Sequence, residues 1–216
     1  MSLLKQSLFE SLTKEILEDK DSFSCKSEEI TDFFNNKAIN YNEELLGRSY
    51  CFILEKDILC AFTVSNTSLL VGNIPKKIRN KINRSIPHEK QRNQYPAVLI
   101  GEFAINKKFC GSKNGSFLSD DLMCFIKGWF TVENKTGCRF VLVDALNNEK
   151  VLDFYKRNQF LFLFSSEKEE IKMENKSSFI RNFIPKNFFF TKKKLSTRLM
   201  AFDLLQINSI KRQTTT

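Results

Sequence analysis

The chain has 216 residues, of which 42% are hydrophobic and 27% are charged, with a formal net charge of +9. This composition is typical of a folded globular protein, and the length predicts a single domain over residues 1–216 with a substantial core. No apolar run approaches the length of a membrane span, and charged residues interrupt the apolar ones near the start of the chain. We therefore expect no transmembrane helix or signal peptide, and by default a cytoplasmic protein, either monomeric or homodimeric.

The cysteine and histidine content argues against a metal site. Six cysteines are scattered without a C-x-x-C pair, and His88 is the only histidine, so a Cys/His zinc site is not expected. We predict no bound metal, no disulfides in a cytoplasmic protein, and a solvent-exposed His88 within a charged segment.

The first half of the chain contains helix and hairpin signals. Leucines in residues 3–17 have helical spacing, although the end of this element stays open. Ser27, followed by acidic residues and then by apolar residues at helical spacing, predicts a capped amphipathic helix. Two apolar runs, Tyr50–Leu54 and Ile58–Val64, are joined by three polar residues and predict a β-hairpin.

A charged insertion extends from Pro75 to Gln94. Isoleucines recur every four residues from Ile74 to Ile86. They predict one short helix that begins at Pro75 and ends before Pro87.

The stretch from Leu99 to Ser116 is the first of two that carry functional information. It is predicted to form an apolar strand ending at Ile105, a polar turn over residues 106–114, and then, from Gly115, an amphipathic helix. Backbone N–H groups at such a loop and helix N-terminus can bind phosphate. In the helix we expect Trp129 and the phenylalanines to serve core packing rather than to form an aromatic substrate cage.

The second informative stretch extends from Asp144 to Phe160. A buried strand, Phe140–Val143, leads to an asparagine pair at residues 147–148 and then to a helix carrying Phe154 and Tyr155. This unit brings a phenol to a place that a neighbouring parallel strand could share. The two stretches together predict a transferase that binds a phosphate-containing cofactor.

Residues 105–116 resemble the GNAT superfamily motif V-x-x-x-(Y/F)-(Q/R)-G-x-G-x-(G/A)-S. Residues 148–160 resemble that family's motif N-x-x-A-x-x-(F/L)-Y-x-x-x-G-F, in the right chain order. Upstream, residues 23–38 resemble the opening of a toxin-like GNAT branch. The resemblance covers residues 20–164 and a last strand near residues 197–205. It also implies a first strand before Phe23, so the boundary of the helix suggested by residues 3–17 stays open.

Three positions depart from the family pattern. Cys110 stands where the family has Gln or Arg, Lys113 replaces the first glycine of G-x-G, and Gln159 replaces a late glycine. Lys113 lacks the free access of glycine to left-handed backbone, but it adds a cation that can pair with phosphate. We interpret the loop as adapted for binding.

The resemblance implies an α/β fold: a mixed, twisted sheet of six or seven strands, splayed between its central strands and flanked by helices. Acetyl-CoA would lie in the splay as co-substrate. Asn148 would contact its pantetheine or fix the corner. The backbone of Phe103, Ala104 and Ile105 would pair with pantetheine, and the pyrophosphate would meet Cys110, Gly111, Ser112, Lys113, Asn114, Gly115 and Ser116.

The implied activity is N-acetyl transfer from acetyl-CoA directly to a primary amine in a ternary complex. Tyr155 is the expected acid for the leaving thiolate; the alternative is a tyrosine that only packs or contacts the cofactor. Glu102 is a candidate base, acting directly or through water, but it lies one position away from several family bases and could face away. Cys110 lacks a neighbouring histidine and is rejected as a nucleophile.

The acceptor is left open between a small metabolite, a peptide or protein amine, and an aminoacyl group on tRNA. The toxin-like opening and the basic C-terminal region favour tRNA: Ser165 to Thr216 contain 11 Lys or Arg and 5 Asp or Glu. Lys192, Lys193 and Lys194 are the candidate RNA contacts, although a solvated surface explains them too. Residues 165–196 are predicted to be an irregular basic excursion, or a lid, before the last strand. The alternative of another class is a non-catalytic GNAT-fold binding module with an altered loop.

Overall fold

The structure is a computed structural model that describes residues 3–113, 116–132, 134, 136–177 and 195–207. Asn114 and Gly115 of the expected cofactor loop lie outside the described residues, as do residues 178–194 with the three candidate lysines.

Within the described residues the chain forms nine strands and seven α-helices. The strands are β1 (Leu8–Ser11), β2 (Arg48–Leu54), β3 (Asp57–Leu70), β4 (Gln94–Ile105), β5 (Ser112–Lys113), β6 (Ser116–Phe117), β7 (Phe140–Leu146), β8 (Leu161–Phe162) and β9 (Thr197–Asp203). The helices are α1 (Lys14–Asp19), α2 (Glu28–Asp32), α3 (Ala38–Glu43), α4 (Lys76–Asn83), α5 (Leu118–Val132), α6 (Glu149–Arg157) and α7 (Glu167–Ser177).

Seven strands form one mixed sheet, in the order β1-β2-β3-β4-β7-β9-β8, with helices flanking it. The β1–β2, β2–β3 and β8–β9 pairs are antiparallel. The predicted hairpin is confirmed, since Leu54 pairs with Asp57 across a tight turn. The α/β class and the number of strands agree with the expectation from sequence, while the splay between the central strands stays a prediction.

The chain divides into two compact units. The first unit comprises Met1–Thr67, Pro96–Val141 and Asp203–Thr216, and the second comprises Ser68–Tyr95 and Leu142–Phe202. The single domain over residues 1–216 stays a prediction.

An aromatic cluster holds α5 against β1, β2 and β3 in the first unit. The ring of Phe9 lies 4.7 Å from that of Phe125 and 5.2 Å from that of Trp129, both edge-on. Trp129 also meets the ring of Tyr50 edge-on at 4.9 Å. Such pairs contribute about 0.5–1.5 kcal/mol each beyond their buried area. Trp129 is therefore a packing residue, as predicted.

The N-terminus differs from its leucine pattern. Instead of one helix over residues 3–17, Leu8–Ser11 form a strand that pairs with β2, and α1 begins only at Lys14. Ladder pairing along β2 satisfies backbone groups that a short isolated helix would expose, so tertiary context overrides the local spacing.

The serine-capped helix is confirmed, with one irregularity. The Ser27 side chain accepts from the Ile30 N–H, and Glu28 and Glu29 occupy the first turn. A π-helical segment, Phe33–Lys37, joins α2 to α3. Phe34 and Ala38 are buried in a hydrophobic cluster of the first unit.

The charged insertion in the second unit contains the predicted helix. Helix α4 begins after Pro75 and ends at Asn83, before Pro87. Ile74 and Ile86 are buried at its two ends. The periodicity of isoleucine therefore identified its inward face.

A buried ion pair fixes α7 to β9 in the second unit. Arg198 Nε donates to Glu170 Oε2 at 2.5 Å, and the two side chains are 9% and 6% exposed. Glu170 Oε1 also accepts from the Leu199 N–H at 2.7 Å, and Arg198 donates to the Phe164 carbonyl. The start of the predicted excursion is thus a helix anchored to the last strand.

Removing one member of this pair should destabilise the fold strongly. Glu170→Ala leaves a buried guanidinium without its carboxylate, and we expect the free energy of unfolding to fall by about 3–5 kcal/mol in urea titrations. Lys168→Ala on the exposed side of the same helix should change it by less than about 0.5 kcal/mol. The double variant Glu170→Leu/Arg198→Met should recover most of the loss; a loss as large as in the single variant would show that the pair acts by shape rather than charge.

Candidate active site

The end of β4 is fixed by Asn106, which is 2% exposed. Its backbone N–H donates to the Leu59 carbonyl and its side-chain N–H to the Ile58 carbonyl, both at 2.9 Å. Its Oδ1 accepts from the Lys108 N–H at 3.1 Å. Asn106 thus replaces further strand pairing with side-chain bonds and determines where the chain leaves the sheet. From the sequence, Asn106 is identifiable only as the start of a polar turn.

The two residues after Asn106 tie the following turn to the rest of the first unit. The Lys107 N–H donates to the Ser24 carbonyl at 2.7 Å. The Lys108 ammonium lies 2.6 Å from Asp57 and 3.0 Å from Asp21. Hydrogen bonds with Asp57 and Asp21 raise the pKa of Lys108. This cation is therefore already paired with carboxylates.

The predicted open loop and early helix are partly wrong. Residues 112–113 and 116–117 pair as a small antiparallel hairpin, and α5 begins at Leu118 rather than at Gly115. The Cys110 N–H donates within the preceding turn to the Lys107 carbonyl, so it is not open to a phosphate. Gly111 has φ +110°, which favours glycine, and a Cβ there would meet nothing within 4 Å. The Asn-Gly pair between the two short strands is a strong hairpin signal in the sequence.

The N-terminus of α5 carries two carboxylates in its first turn, Asp120 and Asp121. They complement the positive end of the helix dipole. A pyrophosphate bound there would meet their negative charge. Backbone of the Gly111 turn is therefore a better candidate phosphate site than the helix end.

Glu102 lies on β4 and is partly buried. Burial raises the pKa of its carboxyl, and the negative charge of Glu29 raises it further. Of the three residues expected to pair with pantetheine, Ala104 is buried in the first unit's core and Phe103 and Ile105 are partly buried.

In the second unit, the two asparagines of the predicted corner have separate tasks. Asn148 is the N-cap of α6, and its Oδ1 accepts from the Val151 N–H at 3.0 Å. Asn147 donates from its side chain to the Leu195 carbonyl and from its backbone to the Ser196 carbonyl. Asn148 therefore caps α6 at the corner, and its contact with pantetheine stays a prediction.

Tyr155 is held by the C-terminal turn of α6. The Phe160 N–H donates to the Tyr155 carbonyl at 3.0 Å and the Gln159 N–H to the Lys156 carbonyl at 2.8 Å. This is a Schellman ending, with Gln159 at φ +66° in the position that usually takes glycine. The rings of Tyr155 and Phe160 meet edge-on at 5.3 Å. Tyr155 is 8% exposed, so its ring is packed and its position is fixed.

The predicted site residues divide between the two units. Glu102, the β4 backbone and the loop residues up to Ser116 belong to the first unit, and Asn148 and Tyr155 belong to the second. A cavity of about 500 Å³ in the first unit, which Arg48, Tyr50 and Trp129 help to line, contains none of them.

Two further observations concern metals and membranes. In the part of the chain that the structure describes, no group of three or more His, Cys, Asp or Glu side chains could hold a metal ion. Among the same residues, no helix has both the length and the apolarity needed to span a bilayer. His88 is exposed, as expected.

Comparison with known proteins gives a structural answer only. No protein-family model matches the chain, and no curated protein matches it in sequence. A tyrosine-to-phenylalanine variant of KacT is 20% identical, with a TM-score of 0.60 over 95% of this chain and 99% of that chain. AtaT complexed with acetyl-methionyl-tRNAfMet is 19% identical, with a TM-score of 0.59 over 94% and 98%. AtaTR bound with acetyl-CoA is 18% identical, with a TM-score of 0.54 over 95% and 98%.

These similarities extend over nearly the whole chain on both sides, at identities that establish the fold alone. The chain has the GNAT fold in the form found in the KacT and AtaT toxins. This confirms the fold that the resemblance in sequence implied.

The left-handed Gln159 offers a test of the α6 ending. A non-glycine residue in this region costs about 1–2 kcal/mol, while glycine loses about 0.5–1 kcal/mol more backbone entropy on folding. Gln159→Gly should therefore stabilise the protein by about 0.5–1 kcal/mol, raising Tm by about 2 °C in calorimetry. Gln159→Ala keeps the strained backbone and should leave Tm unchanged. An equal rise in both variants would mean that the glutamine side chain, and not its φ angle, is unfavourable.

Proposed function

We propose that the protein is an N-acetyltransferase that transfers the acetyl group of acetyl-CoA directly to a primary amine. The observation that carries this proposal is the fold shared with AtaT over nearly the whole chain, together with AtaTR structures that hold acetyl-CoA. The two sequence motifs for cofactor binding lie, as the proposal needs, at the end of β4 and at the start of α6.

The residues present fit a CoA pyrophosphate and pantetheine. Gly111 gives an open, left-handed backbone position directly after an anchored turn. Lys113 adds positive charge to the same loop. Phe103, Ala104 and Ile105 would offer backbone partners to pantetheine, together with the side-chain amide of Asn148. Ser112, Asn114, Gly115 and Ser116 complete the proposed loop, whereas the N–H of Cys110 is already bonded to Lys107.

Tyr155 is the proposed general acid. Acetyl-CoA supplies a thioester, whose acetyl group passes to the amine as the C–S bond breaks. The phenol of Tyr155 would give its proton to the departing sulfur, which leaves as the free thiol. The Schellman ending and the ring of Phe160 hold the phenol in one position, and a general acid needs such fixed placement.

Glu102 is the proposed general base. It would take a proton from the attacking amine, directly or through one water. Burial and Glu29 raise its pKa, which brings the carboxylate closer to the basicity useful near neutral pH. The raised pKa of Glu102 favours this role over that of a surface carboxylate that takes no part in proton transfer.

An aminoacyl group on tRNA is the acceptor that a specific observation favours. AtaT was solved with acetyl-methionyl-tRNAfMet, the product of such a transfer. A small amine or a protein amine is the other acceptor class. A non-catalytic binding module is favoured only by the departures at Cys110 and Lys113.

Replacing Tyr155 by phenylalanine separates binding from chemistry. Tyr155→Phe keeps the packed ring, so acetyl-CoA should bind with unchanged Kd in calorimetric titrations. Turnover, measured as acetyl transfer or as acetyl-CoA hydrolysis where no acceptor is in hand, should fall about 10²–10⁴-fold. Phe154→Leu, on the same helix, is the packing control and should lower turnover far less. Equal turnover of wild type and Tyr155→Phe would reduce Tyr155 to a packing residue, and absence of acetyl-CoA binding in the wild type would end the transferase proposal.

The pH profile should report on Glu102. A base works only when ionised, so activity should decrease as the pH falls through the pKa of Glu102. Glu29→Gln removes a negative charge that raises this pKa, and should move the acidic limb of kcat/KM to lower pH. Glu28→Gln, its exposed neighbour, should leave the limb in place. Glu102→Gln should abolish the limb and lower turnover about 10²-fold; an unchanged limb in Glu102→Gln would assign the base to another group.

A further inference from the structure

The cavity that Arg48, Tyr50 and Trp129 help to line is not used by the proposed reaction. Its volume of about 500 Å³ lies within the range of small-molecule sites. The turn before β2, the adjoining parts of β2, β3 and β4, and the end of α5 enclose it. Most of its lining side chains are apolar, and Arg48 is the only charged residue among them. We call it the distal cavity.

The distal cavity and the candidate cofactor loop lie at opposite ends of the β2–β3 hairpin. Arg48 pairs with Val64 at one end of the ladder, and both line the cavity. Asp57 lies at the other end, next to Ile58, whose carbonyl accepts from Asn106. Ile58 precedes Val64 by six residues of extended strand, a distance of about 20 Å. Within the first unit, the distal cavity is therefore separate from the candidate cofactor loop.

Aromatic rings form a fixed wall of this cavity. Arg48 and Tyr50 are two residues apart on β2, so their side chains lie on the same face of the sheet. The ring of Tyr50 meets that of Trp129 edge-on at 4.9 Å and stacks on that of Phe62 at 5.6 Å. This wall is built by the core itself. Apolar surface that is already in place lowers the ordering cost of binding a ligand.

Arg48 brings an accessible positive charge to the cavity. Its guanidinium donates to the Ser11 hydroxyl at 3.3 Å and lies 6.0 Å from the centre of the Tyr50 ring. Among the described residues it forms no ion pair with a carboxylate. A guanidinium has five N–H groups in a fixed fork, and two of them match the two oxygens of a carboxylate. Arg48 therefore keeps donors for an anionic group.

The rim of the cavity is both strained and apolar. Helix α3 ends in a Schellman turn, in which the Leu46 N–H donates to the Tyr41 carbonyl at 3.1 Å and the Leu45 N–H to the Asn42 carbonyl at 3.2 Å. Leu45 has φ +58°, in the position that glycine usually takes. It is 90% exposed, and Leu46 is 50% exposed. Strained backbone and exposed large apolar residues are each typical of functional surfaces, and here they coincide at one cavity.

The lining favours an occupant with an apolar body and a single negative charge. An inorganic anion would use Arg48 and leave the apolar wall and the exposed leucines unexplained. An organic cation would be repelled by Arg48. A neutral apolar molecule would cover the wall but leave the guanidinium donors without a partner. A carboxylate with an apolar body uses both features.

We propose that the distal cavity binds a small organic carboxylate with an apolar body, of which a medium-chain fatty acid is the simplest form. The carboxylate would pair with Arg48, and the chain would lie against Trp129 and Leu46 under the exposed Leu45. This binding does not depend on acetyl transfer.

Decanoate is a suitable probe, because Trp129 is the only tryptophan of the chain and its fluorescence reports directly on the distal cavity. Decanoate is titrated below its micellar concentration, with Trp129 emission and calorimetry as independent readouts. We expect saturable binding of one molecule per chain. Decanol and decylamine have the same chain without the negative charge, and both should bind at least about tenfold more weakly, since they lose the charged hydrogen bonds.

Three variants test the assigned contacts. Arg48→Gln should weaken decanoate binding at least about tenfold and remove its advantage over decanol, while Arg48→Lys should keep part of that advantage. Lys56→Gln, an exposed cation in the turn at the opposite end of the hairpin, is the matched control and should bind as the wild type does. Leu45→Asn suits the left-handed backbone but removes the apolar rim. It should weaken decanoate and decanol alike without lowering Tm.

Several outcomes would overturn the proposal. They are absence of decanoate binding, equal affinity in wild type and Arg48→Gln, and displacement of decanoate by acetyl-CoA, which would place it at the cofactor site. A dimer in sedimentation velocity that Leu45→Asn dissociates, with no decanoate bound to the wild type, would instead assign the cavity to a second copy of the chain. Absence of acetyl-CoA binding would count against the transferase and leave the decanoate result unaffected.

Discussion

The bonds of Asn106 at the end of β4 are the constraint on which the candidate cofactor loop depends. A strand that leaves a sheet exposes carbonyls on its neighbour, and an unsatisfied buried group costs about 1–3 kcal/mol. Asn106 meets two such carbonyls, those of Ile58 and Leu59, and with its remaining oxygen it starts the next turn. These bonds fix the place where β4 ends. They therefore also fix where the anchored Lys107 and the open Gly111 begin the loop. A smaller or apolar residue here would keep the backbone bond to Leu59 but lose the side-chain bonds to Ile58 and Lys108, and would so loosen the turn.

Both ends of helix α6 are also fixed by hydrogen bonds to backbone groups that the helix itself leaves unpaired. Asn148 satisfies an orphan N–H at the start, and the turn through Gln159 satisfies two carbonyls at the end. Tyr155 lies in the last turn, so its placement is determined by the backbone rather than by its own side chain. Glutamine at a left-handed position is a local strain, and such strain persists where surrounding contacts determine the conformation. Here the ring contact between Tyr155 and Phe160 provides that determination.

Local signals in the sequence were sufficient for most elements, and long-range pairing explains the failures. The hairpin after Tyr50, helix α4 and the Ser27 cap depend on residues within one or two turns of each other, so periodicity and capping predicted them. Leu8 of strand β1 belongs to a series of apolar residues at helical spacing, and this segment is a strand only because β2 is available to pair with it. The partners of Asn106, and the pair of Glu170 with Arg198, are far apart in sequence. The loop before α5 differs from its prediction for another reason: the Asn-Gly pair is a local hairpin signal that conflicts with the open loop of the family motif.

The net charge of +9 is unevenly distributed between two segments of the chain. At the candidate cofactor loop, Lys108 is bound to Asp21 and Asp57, and the first turn of α5 carries two aspartates. Much of the positive charge there is thus offset, and a CoA phosphate would depend on backbone N–H groups and on Lys113. The charged insertion from Pro75 to Gln94, in contrast, has a single acidic residue, Glu89, and no ion pair among the residues described.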